Sequence, residues 1–128
     1  MHRQIISRAP KEGLPFSVAV GYGPFVFLSG LVGRDPASGR MALDDIAAQT
    51  RQTLQNLASQ LVAAGSSLEQ VLKVTVFLTD MGLFAAMNEV YRSFFRIDPP
   101  ARSCVQVVRL PDSEALVEIE LVAARAAP

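Results

Sequence analysis

The sequence predicts an α+β domain in which two helices cover one face of a β-sheet. The chain has 128 residues, half of them hydrophobic, which suffices for one domain, residues 1–128, with a single core. Short β-branched runs alternate with polar residues, and two longer segments carry apolar residues at helical spacing. The segments follow the order strand, strand, helix, strand, helix, strand, strand, an order typical of helices gathered on one face of a sheet.

The first predicted strands form a hairpin. Ser17–Val20 is a short apolar run, and the turn sequence GYGP separates it from Phe25–Ser29, as in two paired strands. Gln4–Ile6 has the composition of a short edge strand. The segment Gly33–Arg40 is rich in Gly, Pro and Asp and therefore predicts a turn.

Two helices are predicted from apolar residues that recur every three or four positions. The first spans residues 44–64, where an aspartate can cap the start and Gly65 suits the position after the end. The second spans residues 81–95, with Asp80 as its cap, and the sequence DPP stops it.

Three more strands are predicted at residues 71–79, 102–108 and 116–124. Because side chains alternate between the faces of a strand, each strand has one row under the helices and one row on the uncovered side. On the uncovered side we expect the following residues: Phe25, Phe77, Arg102, Cys104, Gln106, Glu118, Glu120 and Val122. Its apolar members predict an interface and hence a symmetric homo-oligomer. The alternative is a face that is merely solvated.

Composition disfavours several classes of function. The chain has 12 basic and 12 acidic residues and no basic cluster, which argues against nucleic acid or an anionic membrane as partner. A single cysteine, Cys104, excludes an intrachain disulfide and a Cys-based zinc site. The single histidine, His2, lies at the N-terminus, so neither a His-dependent catalytic triad nor a His-ligated metal site is expected. Without a signal-peptide pattern or a long apolar run, a cytoplasmic location is expected.

The last two strands are separated only by the short segment LPDSE, which predicts an antiparallel hairpin. Pairing across this turn sets Arg102 opposite Glu120 and Cys104 opposite Glu118, and a slip of two residues moves each pair by one rung. The simplest interpretation is a cross-strand salt bridge that contributes about 0.2–1 kcal/mol. The alternative is a functional site.

The segment PPARSCVQVVRLP…VEIELVA resembles the C-terminal signature of the reactive-intermediate deaminase family (Rid, formerly YjgF-like). The likeness covers almost the whole chain, including FVFLSGLVG as the family's Ser-Gly strand and FAAMNEVYRSFF as its second helix. The resemblance implies a chorismate-mutase-like fold with a mixed six-stranded sheet, and a homotrimer with active clefts between subunits. It also implies hydrolysis of 2-imino acids, or their enamine tautomers, from pyridoxal-phosphate enzymes to 2-keto acids and ammonia, without a cofactor.

The same resemblance implies roles for a pair of charged residues and for the cysteine. Arg102 would bind the substrate carboxylate bidentately. Glu118, with Glu120 as the alternative, would orient or deprotonate the attacking water. Cys104 matches a pocket position of the family, and a buried, inert thiol is an equal alternative because no histidine can activate it.

Ser29 and Gly30 match the family's substrate-side pair, although a serine at a strand end is more often a turn residue. Asn88 lies four residues after Phe84 and three before Tyr91, which places it on the apolar face of its helix. A buried amide must be hydrogen-bonded. Asn88 therefore either contacts the substrate or holds a neighbouring backbone segment.

Two positions depart from the family pattern. Phe16, in GLPFSV, stands where the family usually has a substrate-side tyrosine, and Leu31 follows the Ser-Gly pair where a polar residue is common. We expect these changes to favour larger or more apolar imino acids. The alternatives are a pathway-specific enamine deaminase, acting on an aminomuconate-like or pyrimidine-derived substrate, and a non-enzymatic binder of small carboxylates or chaperone-like protein. Ribonuclease activity is disfavoured by the neutral charge.

Overall fold

The computed structural model describes residues 2–126, which form six β-strands and two α-helices. In chain order these elements are β1 (Gln4–Arg8), β2 (Ser17–Tyr22), β3 (Phe25–Leu31), α1 (Ile46–Ala63), β4 (Val71–Leu78), α2 (Phe84–Phe94), β5 (Ala101–Gln106) and β6 (Val117–Ala124). The strands form one mixed sheet in the order β1-β2-β3-β6-β4-β5. The predicted fold class, with a six-stranded mixed sheet and two helices, is confirmed.

Local sequence signals explain where the helices begin and end. The Asp45 carboxylate accepts a hydrogen bond of 3.0 Å from the Ala47 N–H at the start of α1. Gly65, just beyond α1, has a φ of +78°, which a residue without a side chain adopts readily. Asp80 caps a short 3-10 turn, Met81–Leu83, that leads directly into α2.

The core lies between the two helices and the inner face of the sheet. α1 packs against α2, β3 and β6. The fully buried large side chains are Val26, Gln49, Thr50, Leu54, Leu57, Leu61, Val74, Val76, Leu78, Met87, Val117 and Ile119. Neither helix within residues 2–126 has the length and apolar character that a membrane crossing requires.

The predicted hairpin between the last two strands is wrong. β4 lies between β5 and β6, so the two strands are not neighbours. β5 runs parallel to β4, with Arg102 beside Val74 and Cys104 beside Val76, because α2 supplies the long crossover that parallel strands need. β6 has alternate side chains fully buried and takes the central position, whereas the mostly exposed β5 takes the edge.

The predicted direction of Arg102, Cys104 and Gln106 is wrong for the same reason. Residues that lie side by side on neighbouring strands point to the same face. Arg102 and Cys104 therefore share the helix side with Val74 and Val76. Glu118 lies beside Phe77 and points to the uncovered side, as predicted.

The uncovered side, called here the open face, comprises Phe25, Phe27, Phe77, Val105, Glu118, Glu120 and Val122. Neither helix covers it, and Phe25, Phe27 and Val105 are each more than 40% exposed. Exposed apolar side chains gathered on one uncovered face often mark an interface, which supports the predicted homo-oligomer. The homotrimer and the cytoplasmic location stay predictions.

Candidate active site

Arg102 lies at the sheet edge, on β5, and contacts one face of α2. Its Nη1 donates a hydrogen bond of 2.7 Å to Asn88 Oδ1. Its Cζ lies 4.7 Å from the ring centroid of Tyr91 and 5.6 Å from that of Phe84, which are cation–π distances. Phe84, Asn88 and Tyr91 share a helix face because three or four residues separate them. We call these three residues the arginine cradle.

The charge of Arg102 has no protein counter-ion in the described range. The ion pairs formed by residues 2–126 join Arg34 to Asp112 and Glu114, and Arg92 to Glu89. The hydrogen bond to Asn88 is the one side-chain bond that Arg102 makes within these residues, so Nε and Nη2 have no protein acceptor there. A half-buried cation in this state is suited to binding an anion.

Tyr91 contributes a ring rather than an acid to the cradle. Its hydroxyl oxygen is buried and has no hydrogen-bond partner among residues 2–126. Burial raises the pKa of Tyr91 to about 12, although the nearby charge of Arg102 lowers it. Tyr91 is therefore neutral at physiological pH and presents its π face to the guanidinium.

An open cavity of about 280 Å³ adjoins Arg102. Asn88 and Tyr91 line it from the helix, and Pro99 and Pro100 line it from the segment that leads into β5. Arg102 therefore faces a space that is large enough for a small ligand.

Glu118 is a half-buried carboxylate on the open face. Burial raises its pKa, and the negative charges of Glu120 and Asp112 raise it further. Gly30 makes room for it: a Cβ at position 30 would lie 2.8 Å from Glu118 Cδ, too close for any side chain. The strand β3 therefore requires glycine at this position for Glu118 to keep its place.

Ser29 and Phe16 lie near Gly30. The Ser29 hydroxyl donates a 2.7 Å hydrogen bond to the Ser17 carbonyl oxygen, so its proton is already engaged within the chain. The Phe16 side chain is 50% exposed and lines, with Gly30 and Leu31, a cavity of about 490 Å³. Leu31 also packs against the hydrophobic core.

A family model described as endoribonuclease L-PSP matches residues 6–125. The chain belongs to this family. It is the reactive-intermediate deaminase family that the sequence motifs indicate, and relatives named as a putative reactive intermediate deaminase and as a 2-iminobutanoate/2-iminopropanoate deaminase agree.

A RutC family protein of Pyrococcus horikoshii is 49% identical over 115 residues, which are 90% of each chain. The 2-iminobutanoate/2-iminopropanoate deaminase of Mus musculus is 40% identical over 123 residues, 94% of this chain and 90% of the mouse protein. The crystal structure of Escherichia coli TdcF with bound serine has a TM-score of 0.84 at 42% identity. The match covers 93% of this chain and 94% of the TdcF chain.

The residues that the Rid family pattern indicates form two groups in the structure. Arg102 and Asn88 are in contact and form the arginine half-site. Glu118 and Gly30 are in contact on the open face and form the carboxylate half-site, next to Ser29. Because β4 lies between β5 and β6, and because Arg102 and Glu118 point to opposite faces, the two half-sites do not meet within one chain.

Cys104 belongs to neither half-site within one chain of this Rid protein. It is half-buried and packs against the hydrophobic core. Burial raises the pKa of its thiol, and the lowering effect of Arg102 is smaller. The thiol is therefore protonated at neutral pH, as in a structural cysteine. Residues 2–126 contain no group of three or more His, Cys, Asp or Glu side chains that could hold a metal ion.

The sequence prediction missed the aromatic partners of Arg102. It placed Phe84 and Tyr91 on the buried side of the second helix but did not connect them with Arg102. Their spacing around Asn88 was the available signal, because it puts two rings and an amide on one helix face. The connection also required the position of β5 beside β4, which the predicted hairpin excluded.

Proposed function

We propose that this protein is a hydrolytic deaminase that converts 2-imino acids, or their enamine tautomers, to 2-keto acids and ammonia. The observation that carries the proposal is Arg102, a half-buried guanidinium held by the arginine cradle without a carboxylate partner in the described range. A planar guanidinium can bind a substrate carboxylate through two parallel hydrogen bonds. The likeness to the mouse deaminase and to TdcF, which binds serine, supports this choice.

Glu118 is our candidate for the group that positions water. The water oxygen bonds to the carbon of an imine that is protonated on nitrogen, and the C=N π pair moves to that nitrogen. Glu118 accepts a proton from the water. Glu118 returns that proton to the nitrogen. The C–N bond then breaks and ammonia leaves, while Glu118, again a carboxylate, accepts the hydroxyl proton and the oxygen forms the keto C=O. The raised pKa of Glu118 makes the carboxylate a stronger base than an ordinary surface glutamate. The exposed Glu120 is the alternative base.

The proposed site requires more than one copy of the chain. Arg102 and Glu118 point to opposite sides of the sheet, yet one substrate must reach both. We propose a homotrimer in which the arginine half-site of one subunit faces the carboxylate half-site of the next. The exposed apolar side chains of the open face support burial against another copy.

Phe16 supports a preference for larger or more apolar imino acids. Its half-exposed ring lies beside Gly30 and lacks a hydroxyl that could donate to the substrate. Leu31 contributes less to this preference because it packs partly on the core. Assays across imino acids of increasing side-chain size test this, and equal or better rates on the smallest substrate would contradict it.

Two further candidate functions use the same residues. A pathway-specific enamine deaminase would keep Arg102 and Glu118 and accept a larger substrate. A non-enzymatic binder of small carboxylates, or a chaperone-like protein, would need only the arginine half-site, which is complete within one chain. The family model's description names an endoribonuclease, but a net charge of zero disfavours RNA as the substrate.

The test generates 2-iminobutyrate in the assay and follows its hydrolysis with wild-type protein, Arg102→Ala and Glu118→Gln. Arg51→Ala is the matched control, since Arg51 is an exposed arginine on α1 that lines neither the cavity beside Arg102 nor the one beside Gly30. We expect Arg102→Ala and Glu118→Gln to lose most of the acceleration and Arg51→Ala to keep it. A wild-type rate no faster than buffer would refute the deaminase and leave the binder.

A further inference from the structure

The cavity beside Arg102 has an apolar wall that takes no part in the proposed reaction steps. Tyr91 and Phe95 form one side, with ring centroids 4.8 Å apart and ring planes tilted by 39°. Pro99 and Pro100 form the other side. An aromatic and proline wall next to a single cation is suited to a ligand with one anionic end and one apolar end.

The wall is built from parts that have little freedom to move. The connection from α2 to β5 is short, because α2 ends at Phe94 and β5 begins at Ala101. Within it Asp98 has a φ of +46°, an uncommon backbone conformation for a residue with a side chain, and two prolines follow. Phe95 is buried in the core. A ligand that enters such a cavity loses little affinity to ordering of the protein.

The charge of the cavity decides which end of the ligand contacts the apolar wall. Arg92 also lines the cavity, but its Nη1 is paired with Glu89 Oε1 at 2.7 Å. Arg102 is therefore the cation of this cavity that has no carboxylate partner among residues 2–126. A carboxylate is drawn to Arg102, and the group next to it is left against Tyr91, Phe95 and the prolines.

We infer that this cavity is a side-chain subsite, which accepts a branched-chain or aromatic side chain of the 2-imino acid whose carboxylate Arg102 binds. The inference rests on the proposed function and names its substrate class. In a 2-imino acid the side chain and the carboxylate are attached to the same carbon, so a group of a few carbons reaches a wall that Arg102 itself adjoins. The volume is sufficient, since an apolar cavity of roughly 150 Å³ holds a benzene ring and this one measures about 280 Å³.

The test measures binding of 2-keto acids, the products of the reaction, by calorimetry, so that it does not depend on turnover. The ligands are pyruvate, 4-methyl-2-oxopentanoate and 2-oxoglutarate. We expect 4-methyl-2-oxopentanoate to bind about tenfold or more tightly than pyruvate. We expect no such gain for 2-oxoglutarate, because its second carboxylate would meet the apolar wall. Equal binding of all three, or tightest binding of 2-oxoglutarate, would overturn the inference.

Two variants test whether this cavity causes the preference for 4-methyl-2-oxopentanoate over pyruvate. Pro99→Trp puts a large side chain into the cavity wall, and Ile97→Trp is the matched control in the same connection, because Ile97 is 84% exposed and lines a different cavity. We expect Pro99→Trp to abolish the preference for 4-methyl-2-oxopentanoate and to leave pyruvate binding within about twofold. Ile97→Trp should retain both affinities. If Pro99→Trp does not fold, Arg92→Trp fills the cavity from α2 instead.

The outcomes separate this inference from the proposed function. A protein that prefers 4-methyl-2-oxopentanoate, and loses the preference in Pro99→Trp, but does not hydrolyse imines, supports the subsite and refutes the deaminase. A protein that hydrolyses imines but keeps its preference when the cavity is filled supports the deaminase and overturns the subsite. Equal weakening of both ligands in Pro99→Trp would also overturn it, because that result indicates damage to Arg102 itself.

Discussion

Two inactive variants should restore activity to each other when their chains are mixed. In Arg102→Ala the arginine half-site is lost and Glu118 remains, whereas in Glu118→Gln the carboxylate half-site is lost and Arg102 remains. Because the two half-sites lie on opposite faces of the sheet, each cleft of the proposed trimer takes one half-site from each of two neighbouring chains. A mixed trimer therefore contains clefts in which both half-sites are intact.

The expected activity of the mixture follows from the fraction of clefts in which both half-sites are intact. In an equal, random mixture, the chain that supplies the arginine half-site carries Arg102 in one half of the clefts. The chain that supplies the carboxylate half-site carries Glu118 in one half of them, independently. The mixture should therefore reach about a quarter of wild-type activity per cleft.

The assay unfolds the two variants together, refolds them and follows hydrolysis of 2-iminobutyrate. Light scattering confirms that each variant forms the same oligomer as the wild type. Chains that carry both substitutions, mixed with Arg102→Ala, are the control and should stay inactive because no intact arginine half-site is present. Activity in the mixture no higher than the average of the separate variants would show that Arg102 and Glu118 do not share a cleft between chains.

The remaining predictions concern three residues, Gly30, Glu118 and Tyr91. Gly30→Ala should abolish turnover and leave carboxylate binding at Arg102 intact in calorimetry, since the new Cβ would displace the Glu118 carboxylate. As pH falls, kcat should decrease at a pH above the usual glutamate pKa of about 4.3, because burial raises the pKa of Glu118 and only its carboxylate accepts a proton. Because the pKa of Glu118 is raised in the folded state, the stability that its protonated form contributes at low pH is lost as pH rises through that pKa. Glutamine stays neutral at every pH, so Glu118→Gln should raise Tm at pH 7 more than at pH 4. Tyr91→Phe should keep KM and match or exceed wild-type Tm, because its buried hydroxyl has no partner among residues 2–126. Tyr91→Leu should raise KM by roughly 2- to 30-fold through loss of a cation–π interaction of about 0.5–2 kcal/mol. A KM unchanged in Tyr91→Leu would contradict the cradle.

Most local structure followed from short-range signals. Asp45 and Gly65 mark the ends of α1 through capping and a left-handed turn, which depend only on neighbouring residues. The alternation in β6 correctly placed Glu118 on the open face, because the period of a strand does not depend on its neighbours.

The position of β5 did not follow from such signals. LPDSE is short enough for a hairpin, and nothing within it shows that the chain instead leaves the edge strand and enters the centre of the sheet. The order of the strands depends on the whole core. β6 buries every second side chain and needs a strand on each side, whereas β5 does not. Arg102 was therefore predicted on the wrong face, while its residue type still indicated an anion site.

The strand β4 that separates Arg102 from Glu118 has a consequence for how activity depends on concentration. An isolated chain carries both half-sites on opposite faces of the sheet and cannot present them to one substrate. Below the dissociation constant of the assembly, the rate should therefore rise with more than the first power of chain concentration. Dilution would then switch off catalysis without unfolding a single domain. Carboxylate binding at Arg102, which one chain completes alone, would persist under the same dilution.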